Sequence, residues 1–431
     1  MGRRDDEEKE ASFLVLALYA MGYDAEAIAL HTAEFMCELQ LSWGGDYPRV
    51  RFNLDEHDRS ACRRLFRFEA QEIRQILISM DLPEEIITSQ GCVVPREEAF
   101  CLLLRRLTYP ARLDDLRCEF GRSAGSLSST VNTTAQMVYD KIKTKMAFDQ
   151  RMVERYKERS SEAIFNKVGR LSKCFGFIDG TIRQTCRPVR FQDQLYSGHK
   201  RKHGIKFQNI TMANGMIVSM FGPIEGRRHD SFMLEESKVM SEMQHHPGYH
   251  LYGDQGYPLK SWLITPFPDS RRTAEQCDFN RDLSRARIAV EWSFGWIARY
   301  WNFFALITNM KVLKSPVATL FLVATFFTNC LSCVRRKNQA SKYFRCRPPA
   351  LDVYRADLNT DTAIDENDYP SDEDVLDFFD DESDMSSYDG SSNDGEDEDR
   401  EGQKKTPGKQ ANCLTKMKLI KRVTSSFARL N

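Results

Sequence analysis

The sequence lacks any closely spaced cysteine framework. Its 12 cysteines are scattered over 431 residues, which excludes a small disulfide scaffold and points to free, mostly buried thiols in a reducing compartment. The single CxxC pair, Cys330 and Cys333, lies inside an apolar helix-like run with no second pair nearby, so it reads as core packing and not as zinc. His199 and His203 have ligand spacing only on a helix, and Gly198 and Gly204 argue against a helix there. No secretory leader is expected from the start, where the short apolar run sits behind an acidic segment. Asp6 breaks the myristoylation pattern after Gly2. Long apolar runs are scarce: only Val317 to Val334 approaches the roughly 18 residues of a membrane candidate. With no second run and a charged remainder it reads as a buried core helix, and no membrane partner is expected.

Net charge is almost absent too, at −1, but the average hides a segregation. Residues 352–401 hold 21 Asp and Glu against two Arg, a net −19, which leaves +18 for the remainder. A basic body beside an acidic tail suggests a polyanionic partner, most often nucleic acid. The tail, rich in Ser, Asp and Gly, has too little apolar surface to fold and is expected to be disordered; Phe378 and Phe379 could form a docking patch in it. Residues 402–431 form a basic tail whose cluster, Lys416 to Arg422, suits nuclear import or a nucleic-acid-contacting arm. A 41% hydrophobic content supports real cores, in two or three domains at this length.

Residues 1–60 are poorly defined, with a helix expected from Ala11 to Met21 and a loop over LSWGGDYPRVRFN. From Phe66, Ile73, Ile76, Leu77 and Met80 recur at helical spacing until Pro83, and a second helix follows from Arg96 to Leu107. Leu113 to Phe120, a turn at Gly121 and a helix from Ser123 to Lys145 form a helix-turn-helix-like unit. Leu116, Phe120, Leu127 and Val131 are its expected core. Residues 61–150 are therefore read as an all-α domain, and Ser126, Ser128, Ser129 and Asn132 face outward if the second helix reads DNA. Arg122, Lys141, Lys143 and Lys145 flank that face.

Beyond residue 165 the chain turns to α/β. Cys174 to Ile178 is a strand leading into Asp179, and Phe207 to Ala213 and Met216 to Phe221 form a hairpin about Asn214 and Gly215. His229 and Asp230 stand ahead of a helix running to Met243. The run YHLYGDQGYPL is a strand that breaks at Gly253, leaving Asp254 at its end. A short run from Trp262 to Pro266 precedes a helix, Leu283 to Trp301, that carries Glu291. Strand, hairpin, helix, strand and helix in this order is that of an RNase H-like α/β fold, expected over residues 165–345. Its acids come from a first strand, a central strand and a closing helix, and Asp179, Asp254 and Glu291 occupy those settings. Three carboxylates repel unless cations sit among them, and paired Mg²⁺ ions suit in-line phosphoryl displacement.

FGFIDGTIR, GRRHDSF, YGDQGYP and RARIAVEWSFG, in this order, resemble the signature blocks of the PIF/Harbinger-type DDE transposases and the nucleases derived from them. The resemblance implies that Asp179, Asp254 and Glu291 are the catalytic acids and that Asp230 joins them as a metal ligand. It also implies a divalent cation, Mg²⁺ with Mn²⁺ as substitute, DNA as substrate through terminal repeats or a target site, and a nuclear location with some cytoplasmic presence. The expected activity is a metal-dependent DNA endonuclease or transposase, assisted by a separate DNA-binding partner protein and compatible with a homo-oligomer. The alternative is a domesticated transposase that serves as a non-catalytic DNA-binding or adaptor protein. Lys200, Arg201, Lys202 and Lys206 form the expected phosphate-contacting rim. Arg287, one turn before Glu291, could steady that acid or meet a phosphate. His229 is expected to make a structural hydrogen bond, and Trp292, Trp296, Tyr300 and Trp301 to pack.

Overall fold

A computed structural model describes residues 51–268, 272–356 and 358. The expected helix from Ala11 to Met21, Phe378 and Phe379, nearly all of the acidic tail and the basic cluster lie outside the described residues.

Five helices dominate the first part of the chain: α1 (Arg59–Phe66), α2 (Ala70–Met80), α3 (Arg96–Thr108), α4 (Leu113–Phe120) and α5 (Ala124–Ala147). Between α2 and α3 a small antiparallel hairpin, β1 (Glu85–Ile87) with β2 (Val93–Pro95), pairs Ile86 with Val94. The turn between α4 and α5 follows from local chemistry. Gly121 takes the left-handed conformation (φ 58°) that closes α4, and the Ser123 hydroxyl accepts from the Ser126 amide to start α5. Leu116, Phe120, Leu127 and Val131 are all buried around this turn. Phe52, ahead of α1, stacks on Phe120 at 4.8 Å, so the end of the expected N-terminal loop is already part of the packed body.

A long helix, α6 (Gln150–Val168), leads to the sheet. The remaining elements are β3 (Cys174–Gln184), α7 (Gln192–Leu195), β4 (Tyr196–Ser197), β5 (Lys202–Met212), β6 (Ile217–Glu225), α8 (Asp230–Glu236), α9 (Val239–Met243), β7 (His250–Tyr252) and β8 (Leu263–Ile264). They are followed by α10 (Ala274–Tyr300), α11 (Val317–Arg335), α12 (Gln339–Phe344) and α13 (Leu351–Ala356). The six-stranded sheet is mixed. β3 pairs antiparallel with β5 and parallel with β7, β7 pairs parallel with β8, and β6 and the short β4 lie along the other side of β5.

One continuous core joins the helices to the sheet. α5 packs on β6 and α11, and α6 packs on β3. The Ser160 hydroxyl of α6 donates to the Phe175 carbonyl at 2.7 Å and accepts from the Ala213 amide at 2.8 Å, pinning the helix to two strands. α11 is long and apolar enough to cross a membrane, yet 83% of its apolar window is buried inside the fold. Phe321, Phe326 and Phe327 are fully enclosed, each contributing about 1.5–3 kcal/mol of apolar burial. Its one amide is satisfied: Asn329 accepts from the Ile217 N–H at 3.0 Å and donates to the Ile217 carbonyl at 2.8 Å and the Tyr354 hydroxyl at 3.0 Å. Cys330 and Cys333 are buried beside it, and burial pushes both thiols up, as expected of packing residues.

Three expectations need correction. Residues 61–150, read as all-α, contain the antiparallel β1–β2 hairpin, whose three-residue strands are too short to show alternation in the sequence. Residues 352–356, assigned to the disordered acidic segment, lie in α13, where Tyr354 is buried, stacks on Phe326 at 5.7 Å and receives the Lys145 ammonium over its ring at 4.4 Å. Leu351, Val353 and Tyr354 are buried there, and the charges of Asp352 and Arg355 pair with each other at 2.8 Å. The single helix expected after His229 and Asp230 and running to Met243 is two short helices, the first beginning at Asp230 itself, broken at Ser237 and Lys238.

Candidate functional site

Strand register brings the acids together. Tyr252, the last residue of β7, lies beside Phe177 of β3 in the parallel pair. Two residues further along each chain stand Asp254 and Asp179, so the turn after β7 delivers Asp254 to the level of Asp179. The Asp254 carboxylate accepts the Gly256 amide at 2.9 Å, an Asx turn that folds the chain back at this point. Asp230 is the first residue of α8 and reaches the same place. A Cβ added to Gly180 would meet its Oδ1 at 2.9 Å, and one added to Gly256 would meet Asp230 Oδ2 at 3.5 Å and Asp254 Oδ1 at 3.1 Å. Glycine at these two positions is therefore what lets three carboxylates crowd one sheet edge.

The fourth acid comes from α10. This helix is anchored on the sheet at the level of Asp179, because Ser293 bonds to Asn209, the residue paired with Asp179 across β5, and to Thr211 at 3.1 Å. Arg183 of β3 adds a second tie, donating to the Phe294 carbonyl at 2.8 Å. Arg287 and Glu291 then face the strand ends. Arg287 Nη1 donates to Asp179 Oδ2 at 2.8 Å and Nη2 to Glu291 Oε1 at 3.0 Å, so one guanidinium spans two of the acids. Lys206 of β5 gives its ammonium to Asp230 Oδ1 at 3.0 Å.

Electrostatics match this crowding. Burial raises the Asp179 carboxyl to about 6, with the charges of Asp254 and Glu291 adding to the effect and Arg287 opposing it. Asp254 is also raised, by burial and then by the Asp230 carboxylate. Tyr257, buried beneath the turn, is raised well above the usual phenol by burial and by the three aspartates, and its hydroxyl donates to Gln208 at 3.2 Å. Buried, mutually repelling carboxylates are costly to a fold and mark a place built for cations or for protons.

The other residues singled out in the sequence fall in different places. Lys200 and Arg201 are exposed in the turn between β4 and β5, and Lys202, the first residue of β5, is half-buried. Lys206 and Arg287 lie among the acids. The His229 carbonyl accepts from Phe232 and Met233 to open α8. Trp301 is enclosed and donates to Thr328 at 3.0 Å, whereas Trp292 and Trp296 pack edge-on and face-on against Tyr343 and Tyr300. Arg122, placed beside a DNA-reading face from sequence, instead forms a two-pronged pair with the buried Glu98. Lys145 likewise pairs with Asp149 at 2.7 Å, both nearly enclosed. The Lys206–Asp230 and Arg287–Asp179 pairs could not be read from sequence. Their partners are separated by 24 and 108 positions, and only the packing of α8 and α10 against the sheet joins them.

Residues 178–329 match the family described as DDE superfamily endonuclease. The chain is 22% identical over 294 residues to the Arabidopsis thaliana protein called Antagonist of Like Heterochromatin Protein 1, covering 64% of this chain and 73% of that protein. It is 19% identical over 236 residues to an Arabidopsis thaliana protein called Protein ALP1-like, covering 51% of this chain and 57% of that one. No solved structure matches it.

Proposed function

We propose, from the match of residues 178–329 to the DDE superfamily endonuclease family and the likeness to the two Arabidopsis thaliana proteins, that this chain is a Harbinger-type, divalent-metal-dependent DNA nuclease or strand transferase. Its catalytic acids are Asp179, Asp254 and Glu291, with Asp230 as a further metal ligand, on an RNase H-like core. The supporting observation is the meeting of these four side chains at one sheet edge, drawn from β3, the turn after β7, α8 and α10.

The donor set fits a hard cation. All four groups supply oxygen, the ligand Mg²⁺ and Mn²⁺ accept, and their crowding is unfavourable without positive charge among them. When bound, such ions activate water or a 3′-hydroxyl and neutralise charge on the phosphate. The chain's own residues do the rest. Gly180 and Gly256 keep space for the carboxylates, the Gly256 amide fixes the Asp254 rotamer, and Ser293 with Asn209 holds α10 so that Glu291 faces the strand ends. Glu291, about half exposed, is the acid nearest solvent and an arriving DNA strand. Lys200, Arg201 and Lys202 make a rim for the DNA backbone, at the start of the strand that carries Lys206. Action on DNA places the protein in the nucleus, with a separate DNA-binding protein supplying sequence recognition.

A second reading, a domesticated DNA-binding or adaptor protein, is favoured by the two protein cations already paired with acids of the cluster. Incubation of the full chain with DNA and Mg²⁺ or Mn²⁺ separates the two. The nuclease reading expects cleavage by the wild type and none by Asp254→Asn at unchanged DNA affinity. Binding without cleavage by either protein supports the adaptor, and equal cleavage by both removes the proposed site.

A further inference from the structure

Two basic side chains sit where the nuclease reading puts metal ions. Asp179 has both oxygens engaged, Oδ1 by the Gly180 amide at 2.9 Å and Oδ2 by Arg287 at 2.8 Å. Asp230 Oδ1 is held by Lys206 at 3.0 Å. Four carboxylates against one guanidinium and one ammonium leave a formal charge of −2, so the cluster is only half neutralised. Among the described residues no group of three or more His, Cys, Asp or Glu side chains is placed to hold a metal ion as it stands. The acids are oriented on the protein's own cations.

We propose that Arg287 is the resident counter-ion of this acid cluster, occupying the Asp179 oxygen that a divalent cation needs, and that cation binding proceeds by exchange for its guanidinium. The inference rests on the metal-site reading above. Three observations carry it. Arg287 bridges two acids that come from different layers, strand β3 and helix α10, and so holds the site closed in the absence of an ion. Its side chain is one-fifth exposed and Glu291 about half exposed, so the guanidinium can turn outward without unpacking the core. The Asp179 side chain is 14% exposed and its Oδ2 already accepts from Arg287 at 2.8 Å, so a cation at that oxygen meets the guanidinium charge at contact distance. Charge-assisted forks of this kind are strong enough to hold a site yet exchangeable for a doubly charged ion. Lys206 plays the same part for Asp230 alone.

The test measures Mn²⁺ binding to the full chain without DNA, by electron paramagnetic resonance of the free ion. Arg287→Met is expected to bind Mn²⁺ about tenfold tighter than wild type, the ratio for removing one competing charge-assisted hydrogen bond. Arg287→Lys, which keeps the charge but reaches one acid at a time, is expected to fall between them. Asp254→Asn is expected to lose binding in both the wild-type and the Arg287→Met background. In thermal unfolding Arg287→Met should melt below wild type in EDTA and gain more from Mn²⁺. Equal or weaker Mn²⁺ binding by Arg287→Met, with binding still dependent on Asp254, overturns the exchange while leaving the metal site standing. Binding that ignores Asp254, or no binding by any variant, removes the metal site and the exchange with it. Should Arg287→Met not fold, Arg287→Lys against wild type decides in the same direction.

Discussion

Replacing Asp179 by Asn should stabilise the metal-free protein, and should do so only above a defined pH. The carboxyl stands at about 6 in the fold against 3.8 unperturbed. Between those values the native state holds its proton more tightly than the unfolded chain. The stability that proton contributes is complete below about 3.8 and is lost as pH rises through about 6. A shift of 2.2, the difference between the two, corresponds to ~3 kcal/mol. The attraction of Arg287 is already contained in that figure, since it is one of the causes that set the value. The carboxamide of the Asp179→Asn variant has no proton to lose. Its stability minus that of wild type should therefore climb by up to ~3 kcal/mol between about pH 4 and about pH 7.5. Urea unfolding at fixed pH steps in EDTA measures this, and repeating it with Mg²⁺ should flatten the climb, because a bound cation favours the charged form. Asp254 is pushed the same way, by burial and the Asp230 carboxylate, so its Asn variant should show a climb of the same sign. A pH-independent difference, or a loss of stability that deepens with pH, would refute the picture of a buried, unfavourably charged acid.

Other positions give sharper local tests. Gly180→Ala places a Cβ 2.8 Å from Met233 Cε and 2.9 Å from Asp230 Oδ1; it should cost about 1–3 kcal/mol and weaken Mn²⁺ binding by moving Asp230, measured by melting and by ion titration. Glu98→Ala strands Arg122 beside a buried site and should cost about 3 kcal/mol, the low end for a broken buried pair because Arg122 is a quarter exposed. Arg122→Met should lower the melting temperature without changing DNA affinity of the folded protein, and a selective loss of DNA binding would restore it to a reading helix. Asn329→Leu leaves the Ile217 amide and carbonyl unsatisfied in the core; chemical denaturation should show about 2–5 kcal/mol lost.

Much of the site was legible because its acids sit where local patterns change. Asp179 follows an apolar β run, Asp254 falls between two glycines at a strand end, and Glu291 rides a long helix with strong apolar periodicity. The turn at Gly121 was equally clear, from one glycine and one capping serine. Polar interiors were not. Asn209, Thr211 and Ser293 form a buried cluster that fixes α10, and nothing in their spacing sets them apart from surface residues. Helix α6 goes unmarked because MVERYKERSSEAIF is rich in charge, and the β1–β2 hairpin because three-residue strands carry too little alternation. Arg122 shows the converse error. A cation beside a helix face read as outward looks free until Glu98, 24 positions away, is packed against it.

The most direct test of the account is the position of Mn²⁺ in a crystal of the full chain soaked with that ion, located by its anomalous scattering. The account predicts a peak about 2.1 Å from carboxylate oxygens of Asp179 and Asp254, with Arg287 turned away from Asp179. A peak elsewhere on the surface, or none at a concentration that supports DNA cleavage, would contradict it.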